Sequence, residues 1–236
     1  YVAVAEEKAI EAGVILHYNE FIAEVLAVGD SWEITSLGRG IRRVTKAQEI
    51  IDCTGDSDIV RMLGLGTLRD EVRQPGSYQY KIEDIEHEQI WEGEVQAIYD
   101  EAMADGRLER GDFAYQNMSP FKYYLDHGGH NGTHVYGADT SDADGQTQAN
   151  LEGRTRMLRM YRFLKESVPG CERAVLKMMA PFALARETTR TLGNYVVTKE
   201  DFMQATDFPD KVCNAFNYVD MHSEERGCDV YFHESE

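Results

Sequence analysis

Residues 178–201 read MMAPFALARETTRTLGNYVVTKED, an apolar run that passes directly into a group of charges. The run ends at Ala185, and Arg186, Glu187 and Arg190 follow it. We expect the run to be buried, so that the charges lie at the edge of a core. Charge in such a position is costly unless it is paired, and it therefore forms either an ion-pair network or a site for an anion.

The spacing of the two arginines permits both interpretations. Arg186 and Arg190 face the same way on a strand and lie one turn apart on a helix, so both guanidiniums could converge on one carboxylate. The structural alternative is an ion-pair network that uses nearby acids. The acids considered for that network are Glu187, Asp201 and Asp220. Spacing alone leaves the two interpretations open.

Composition narrows the class of protein. The chain has 236 residues, with 24 Lys and Arg against 42 Asp and Glu, for a formal net charge of −18. Such an acidic surface repels phosphate backbones, so we expect neither nucleic acid nor an anionic membrane as a partner. The sequence has no apolar run of membrane-spanning length, and its four cysteines form no C-x-x-C pair. We predict a cytoplasmic protein with reduced thiols.

The hydrophobic pattern predicts an α+β fold. The predicted helices cover residues 2–12, 85–105, 146–167 and a short capped stretch that starts at Thr198. The predicted strands cover residues 14–16, 20–28, 31–37, 41–45, 49–53, 78–82, 113–115, 133–136 and 218–222. Residues 20–45 form a β-meander among these strands. In the helix over 146–167, one face is expected to point inward. It consists of Leu151, Leu158, Tyr161 and Leu164 or Lys165, and it is widened by Met157, Met160 and Phe163.

The junction at Thr54, Gly55 and Asp56 is a candidate ligand site. A predicted buried strand ends there, Gly55 permits a sharp turn, and Asp56 or Ser57 is expected to cap a short helix. A strand, a tight turn and a helix start form a natural place for a polar ligand at the carboxyl end of a sheet. A plain strand–helix connection is the alternative.

Histidines supply two further candidates. His222 follows Asp220 at the spacing D-x-H and could act as a general acid or base, or be a structural histidine held by the aspartate. His127, His130 and His134 have a spacing that invites a metal. Glycines surround those three histidines and the sequence has no cysteine near them, so we predict no metal site.

Four segments resemble, in order, one family of proteins. They are IIDCTGDSDIVRMLG (50–64), RQPGSYQYKIEDIE (73–86), QANLEGRTRMLRMYRFLKESVPGCE (148–172) and ARETTRTLGNYVVTKEDF (185–202). The last segment is similar to an arginine-rich pattern of FAD-dependent oxidoreductases, which runs close to RETRR-hydrophobic-G-x-Y-x-hydrophobic-T-x-x-D. The four matches span most of the chain.

The resemblance implies roles for particular residues. Thr54, Gly55 and Asp56 would lie beside FAD, with Cys53 in place of the family's usual alanine. Gln74, before Pro75, would enter a strand of the substrate domain beside the flavin. Arg186 and Arg190 would orient the flavin or an anionic substrate, and His222 could move a proton.

The resemblance also implies a domain arrangement. Residues 1–66 would be part of an α/β FAD-binding domain with a β-meander, and residues 67–236 a mixed-sheet substrate domain covered by helices. The sequence contains no G-x-G-x-x-G, the motif that holds the pyrophosphate of a dinucleotide. We therefore expect the chain to be an internal fragment of a longer flavoenzyme that acts on a small organic substrate. By itself it should bind FAD weakly or not at all and be inactive.

Two expectations make this interpretation testable. The groups 54–56 and 186–190 should meet around one cavity, where a flavin ring would lie in the whole enzyme. The alternative is a non-catalytic binding module without flavin, in which the aromatic and glycine-rich residues 113–136 form a recognition surface. Flavin bands in an absorbance scan separate the two.

Overall fold

The computed structural model describes residues 1–88, 90–115, 120–214, 217–224 and 227–231. The chain divides into two compact units, Tyr1–Thr67 and Leu68–Glu236. Helices and small antiparallel sheets occur together, which confirms the predicted α+β class. The assignment of residues 1–66 to flavin binding and of residues 67–236 to the substrate stays a prediction.

The first unit is built on a three-stranded meander. Its elements are α1 (Val2–Glu11), β1 (Glu20–Val28), β2 (Ser31–Gly38), β3 (Ile41–Ala47) and α2 (Asp58–Met62), and β4 (Thr67–Leu68) follows at its boundary. Val28 pairs with Ser31 across a tight turn in which Gly29 has φ +62°. The predicted helix, hairpin and third strand are therefore confirmed.

Two predicted strands of the first unit are wrong. Residues 14–16 and 49–53 form no strand in the described part of the chain, and Ile15 and Ile51 are 79% and 86% exposed. An apolar run indicates a tendency to be buried, but a strand also needs a neighbour to receive its backbone hydrogen bonds. No described strand pairs with either segment.

The second unit contains the larger number of elements. They are β5 (Gly76–Ser77), β6 (Tyr80–Glu83), α3 (Glu92–Asp105), α4 (Phe121–His127), β7 (Gly129–His130), β8 (His134–Val135), α5 (Ala143–Ser167), β9 (Val175–Met179), β10 (Arg190–Thr191), α6 (Lys199–Met203), β11 (Val219–Ser223) and β12 (Gly227–Tyr231). The strand β6 lies between β7 and β9, and β5 pairs with β8. The extended segment predicted at 218–222 is confirmed as β11.

The core of this unit forms between β6 and the long helix α5. Tyr78 and Tyr80 are fully buried, and so are Met157, Met160 and Leu164 of the helix. The predicted face of α5 is confirmed in part, because Met157, Met160, Phe163 and Leu164 are buried, whereas Leu151 and Leu158 are 54% and 38% exposed. Met157 and Met160 belong to the same core cluster as Tyr78 and Tyr80, and Gly153 lets the helix approach Tyr78 closely.

Three local predictions in this unit are wrong. The helix α3 starts at Glu92 rather than at residue 85, because the Glu86 amide donates to the Gly170 carbonyl at 2.7 Å instead of entering a helix. Residues 113–115 form turns rather than an edge strand, and Phe113 is 1% exposed. The apolar run over 178–185 is mostly at the surface, with Ala183 its one fully buried residue.

Two helix ends that were predicted from capping residues are confirmed. Gly106 ends α3 with φ +81°, as its position predicts. Thr198 accepts a hydrogen bond from the Asp201 amide at 3.1 Å, and Asp201 accepts one from the Thr198 amide at 2.8 Å. This confirms the predicted capping box at the start of α6.

Candidate functional site

Five residues of the second unit form a polar group in which two histidines are buried and the other members are partly buried. We call it the histidine–arginine cluster: Gln74, Tyr115, His134, Arg186 and His222. The strand β5 brings distant parts of the chain together here. Ser77 pairs with His134 in β8, and its backbone exchanges two hydrogen bonds of 2.8 Å with Leu184. The segments that carry His134 and Arg186 are therefore held on either side of β5.

His222 is fixed by contacts on two sides. Its backbone amide donates to Gln74 Oε1 at 2.9 Å, and its ring Nε2 lies 3.1 Å from Asp220 Oδ2. An ionised carboxylate only accepts hydrogen bonds, so Nε2 carries the proton and a neutral ring has its lone pair on Nδ1. That Nδ1 is buried and has no partner among the described residues.

The surroundings of His222 favour its neutral form. Burial and the positive charge of Arg186 lower the pKa of His222, and the hydrogen bond to Asp220 opposes them with a smaller effect. The sequence left open whether this histidine is structural or functional. The contact with Asp220 exists in either case, while the free buried Nδ1 is a feature that a purely structural role does not require.

His134 faces His222 closely. The two rings are perpendicular with centroids 4.9 Å apart, and His134 is 1% exposed. Its Nε2 is buried without a partner in the described part of the chain. Burial, together with the charges of His222 and Arg186, lowers the pKa of His134 to about 3, so the ring is neutral at physiological pH.

Arg186 supplies the positive charge of the cluster. Its Nε is buried and unpartnered among the described residues, and the structure records no ion pair for its guanidinium there. The neighbouring Glu187 instead accepts a 2.9 Å hydrogen bond from the Gln74 amide. The predicted network through Glu187 therefore does not form around Arg186.

Arg190 has different surroundings. Its side chain is 52% exposed and makes an ion pair with Asp70, an acid that the sequence analysis did not consider. Of the acids that it did consider, Asp201 bonds Thr198 and Tyr195, and Asp220 bonds His222. The contacts recorded for the described residues do not include Arg190 in the cluster, and its predicted role beside a flavin stays a prediction.

Thr54, Gly55 and Asp56 lie in the first unit. Gly55 has φ +92°, so the turn does require glycine. Thr54 Oγ1 donates to Asp52 Oδ1 at 2.7 Å and accepts from the Asp58 amide at 2.9 Å. These bonds order the turn, and the flavin contacts predicted for the three residues stay predictions.

The short helix predicted here forms as α2 and begins after Ser57, one of the two predicted cap residues, but its capping bond comes from another side chain. Ser57 stands at the N-cap position without a side-chain cap bond. Asp52 Oδ2 accepts instead from the amides of Ile59 and Val60, at 3.1 and 3.3 Å. The free amides that were expected to attract a polar ligand at this helix start are therefore bonded to Asp52. The D-x-T spacing of residues 52–54 was the available signal, because an aspartate commonly bonds the backbone two residues on.

The other candidate features of the sequence lie elsewhere in the second unit. His127 and His130 are exposed whereas His134 is buried, and no group of three potential ligands that could hold a metal occurs among the described residues. Phe113, Phe121 and Tyr124 are at most 1% exposed. They belong to the core and cannot form the recognition surface that the alternative interpretation placed in 113–136.

The described structure is thus an α+β protein whose second unit encloses a histidine–arginine cluster with unsatisfied buried atoms. The family model of FAD-dependent oxidoreductases matches residues 1–236, the whole chain. The chain therefore belongs to the FAD-dependent oxidoreductase family. Comparison with curated proteins and with solved structures found no match. None of the described helices has both the length and the apolar character needed to cross a membrane.

The cluster is chemically suited to a flavin or to a substrate beside one. Arg186 Nε offers a buried donor without an acceptor, and His222 Nδ1 offers an acceptor without a donor. A flavin ring presents both carbonyl acceptors and an N–H donor at its polar edge, so it could satisfy both atoms. The two G-x-G pairs of the sequence do not follow the predicted pattern of a pyrophosphate site, since Gly38 ends β2 before the turn to β3 and Gly64 follows α2.

Proposed function

We propose that this chain forms the substrate site of an FAD-dependent oxidoreductase that acts on a small organic substrate. The observation that carries the proposal is the buried, unpartnered Nδ1 of His222 in the same cluster as Arg186. When bound, FAD would supply the acceptor for the two electrons removed from the substrate. The protein's own part is to bind the substrate, to orient it and to move its proton.

His222 is the proposed general base. Its Nδ1 lone pair can accept the proton of a substrate O–H or N–H, which breaks that bond and forms the Nδ1–H bond of an imidazolium. Asp220, on the other ring nitrogen, keeps the required tautomer and stabilises the positive charge that forms. The lowered pKa of His222 keeps the ring in its basic form at neutral pH.

Arg186 and Gln74 are proposed to position the reacting groups. Arg186 would orient the substrate or the flavin through its buried Nε, which has no partner among the residues that the structure describes. Gln74 links His222 to the segment of Arg186. Its side-chain Oε1 accepts a hydrogen bond from the His222 amide, and its backbone amide donates one to Glu187, which follows Arg186. Thr54, Gly55 and Asp56 remain the proposed FAD contacts. Arg190, at a greater distance, is proposed to add to the positive charge that attracts the substrate or the flavin.

Because the sequence lacks a G-x-G-x-x-G motif, we also propose that the chain alone binds FAD weakly and that turnover needs the intact protein.

The test starts with the absorbance spectrum of the intact protein, which should show flavin bands. Substrate is then sought by dye reduction with small alcohols, amines and hydroxy acids. His222→Gln should lower kcat/KM by about 100-fold or more, the usual contribution of a general base. Arg186→Lys should raise KM or abolish turnover, because an ammonium cannot replace a planar fork of donors.

His127→Gln and Arg162→Lys serve as matched controls, since both residues are exposed in the same unit. Both should leave turnover unchanged. A protein without flavin bands, or a His222→Gln enzyme with normal kcat/KM, would contradict the proposal.

A further inference from the structure

His134 is a buried titratable group of the cluster that the proposed mechanism does not use. It lies on β8 with 1% exposure, and its Nε2 has no hydrogen-bond partner in the described part of the chain. A buried polar atom without a partner costs free energy, so such an atom in a folded protein calls for an explanation. The ring lies 4.9 Å from that of His222, which places it in the same cluster as the proposed base.

The positive charge of Arg186 indicates what kind of ligand would complete the cluster. Arg186 is positively charged, and its field reaches both His134 and His222. Neither Asp220 nor Glu187 forms a recorded ion pair with Arg186 in the described part of the chain, since Asp220 bonds His222 and Glu187 bonds the Gln74 amide. A partly buried guanidinium that no described acid neutralises is best satisfied by an anion.

The size of the anion is limited by the rest of the molecule. The formal net charge of −18 disfavours ligands that carry several negative charges. Arg186 Nε and a neutral His134 Nε2–H would offer two donors, which suits the two oxygens of a carboxylate. A phosphate would usually need more donors to satisfy its oxygens.

We infer that the cluster binds the carboxylate of a small organic acid, with Arg186 and His134 as its two binding residues and His222 left free to act on the neighbouring carbon's hydroxyl or amine. This deepens the proposed function and rests on it for the reaction that follows binding. His134 is then a substrate-binding residue, and the substrate class is the small hydroxy or amino acids.

The test needs no flavin and uses the 236-residue chain. Imidazole proton resonances are followed by NMR during titration with acetate and benzoate, with acetamide and benzamide as neutral counterparts and inorganic phosphate as a competing anion. We expect the carboxylates to shift the His134 and His222 resonances saturably, with a dissociation constant of about 1 mM. The amides should produce no saturable shift.

Variants assign the contacts. Arg186→Gln should abolish the carboxylate response, and His134→Asn should weaken binding about tenfold, the effect of one lost hydrogen bond to a charged group. Arg162→Gln changes the net charge equally and should bind like the wild type. The dispersed methyl resonances of the buried core report on folding, because they should stay in place in every folded variant.

Three results would overturn the inference. They are equal responses to amides and carboxylates, tighter binding of phosphate than of benzoate, and saturable binding that survives Arg186→Gln. The absence of any saturable shift up to about 50 mM carboxylate would also overturn it, because that is far weaker than most enzyme–substrate binding. None of these results affects the flavin bands or the His222→Gln kinetics, so failure here is distinguishable from failure of the proposed function.

Discussion

At the scale of single residues, His134 gives the protein a pH-dependent stability. Its pKa falls from an ordinary 6.5 to about 3 in the folded state, first because of burial and then because of the charges of His222 and Arg186. Between those two values the unfolded chain binds more protons than the folded one. Stability therefore decreases as pH falls through this window, by at most about 1.4 kcal/mol per pH unit from this group.

Urea unfolding at a series of pH values tests this. In His134→Asn the free energy of unfolding should vary less steeply with pH between 6.5 and about 3 than in the wild type. The exposed His130 provides the control, and His130→Asn also suits its φ of +48°. Parallel curves for the wild type and His134→Asn would show that the buried ring does not titrate in this way.

Single residues of the cluster differed in how visible they were in the sequence. Gln74, Arg186 and His222 stood in recognisable patterns, and the structure places all three in one cluster. His134 stood out only in a spacing that suggested a metal, and Tyr115 only as part of an aromatic segment, so neither pattern indicated this cluster. They join the cluster through the pairing of β5 with β8 and through ring contacts with His222, at 4.9 and 6.5 Å. Such contacts depend on tertiary structure, which a local pattern does not encode.

At the scale of elements, two signals that depend on neighbouring residues were accurate, whereas two predictions that depend on distant residues were wrong. The capping box at Thr198 and the glycine end of α3 depend only on neighbouring residues, and both were predicted correctly. The start of α3 depends on a hydrogen bond from Glu86 to Gly170, and the predicted strand at 49–53 depends on a partner strand. A local sequence determines the tendency of a segment to form a helix or a strand, and contacts with distant residues determine whether that structure forms.

Two helical glycines provide a matched test of helix packing. A Cβ at Gly153 of α5 would lie 2.8 Å from the fully buried Tyr78 side chain, whereas a Cβ at Gly93 of α3 would meet only the exposed ring of Trp91. Gly153→Ala should therefore destabilise the protein by about 1–3 kcal/mol through overpacking. Gly93→Ala should be neutral or stabilise by up to about 1 kcal/mol, because alanine favours the helix. Thermal unfolding would contradict this if the two variants shifted the midpoint equally.

At the scale of the whole molecule, the two units differ in how much core supports them. The connected hydrophobic core described for this chain lies entirely in the second unit and includes Tyr80, Val95 and Met160. In the first unit, Val25 and Ile59 are the fully buried hydrophobic residues among those described. The overall class and family followed from composition and ordered motifs, but this inequality did not, because both units have similar apolar patterns in sequence.

Hydrogen exchange measured by mass spectrometry should reproduce that inequality. Amides of β1, β2 and β3 are bonded within their sheet, yet their strands bury little apolar surface, so local opening should cost little free energy. Amides of β6 and α5 should exchange slowest, since their opening exposes the shared core. Gly153→Ala provides an internal check, because it should speed exchange in α5 and leave that of β2 unchanged. Protection in β2 equal to that in α5 would show that the meander is stabilised by more than the burial recorded within its own unit.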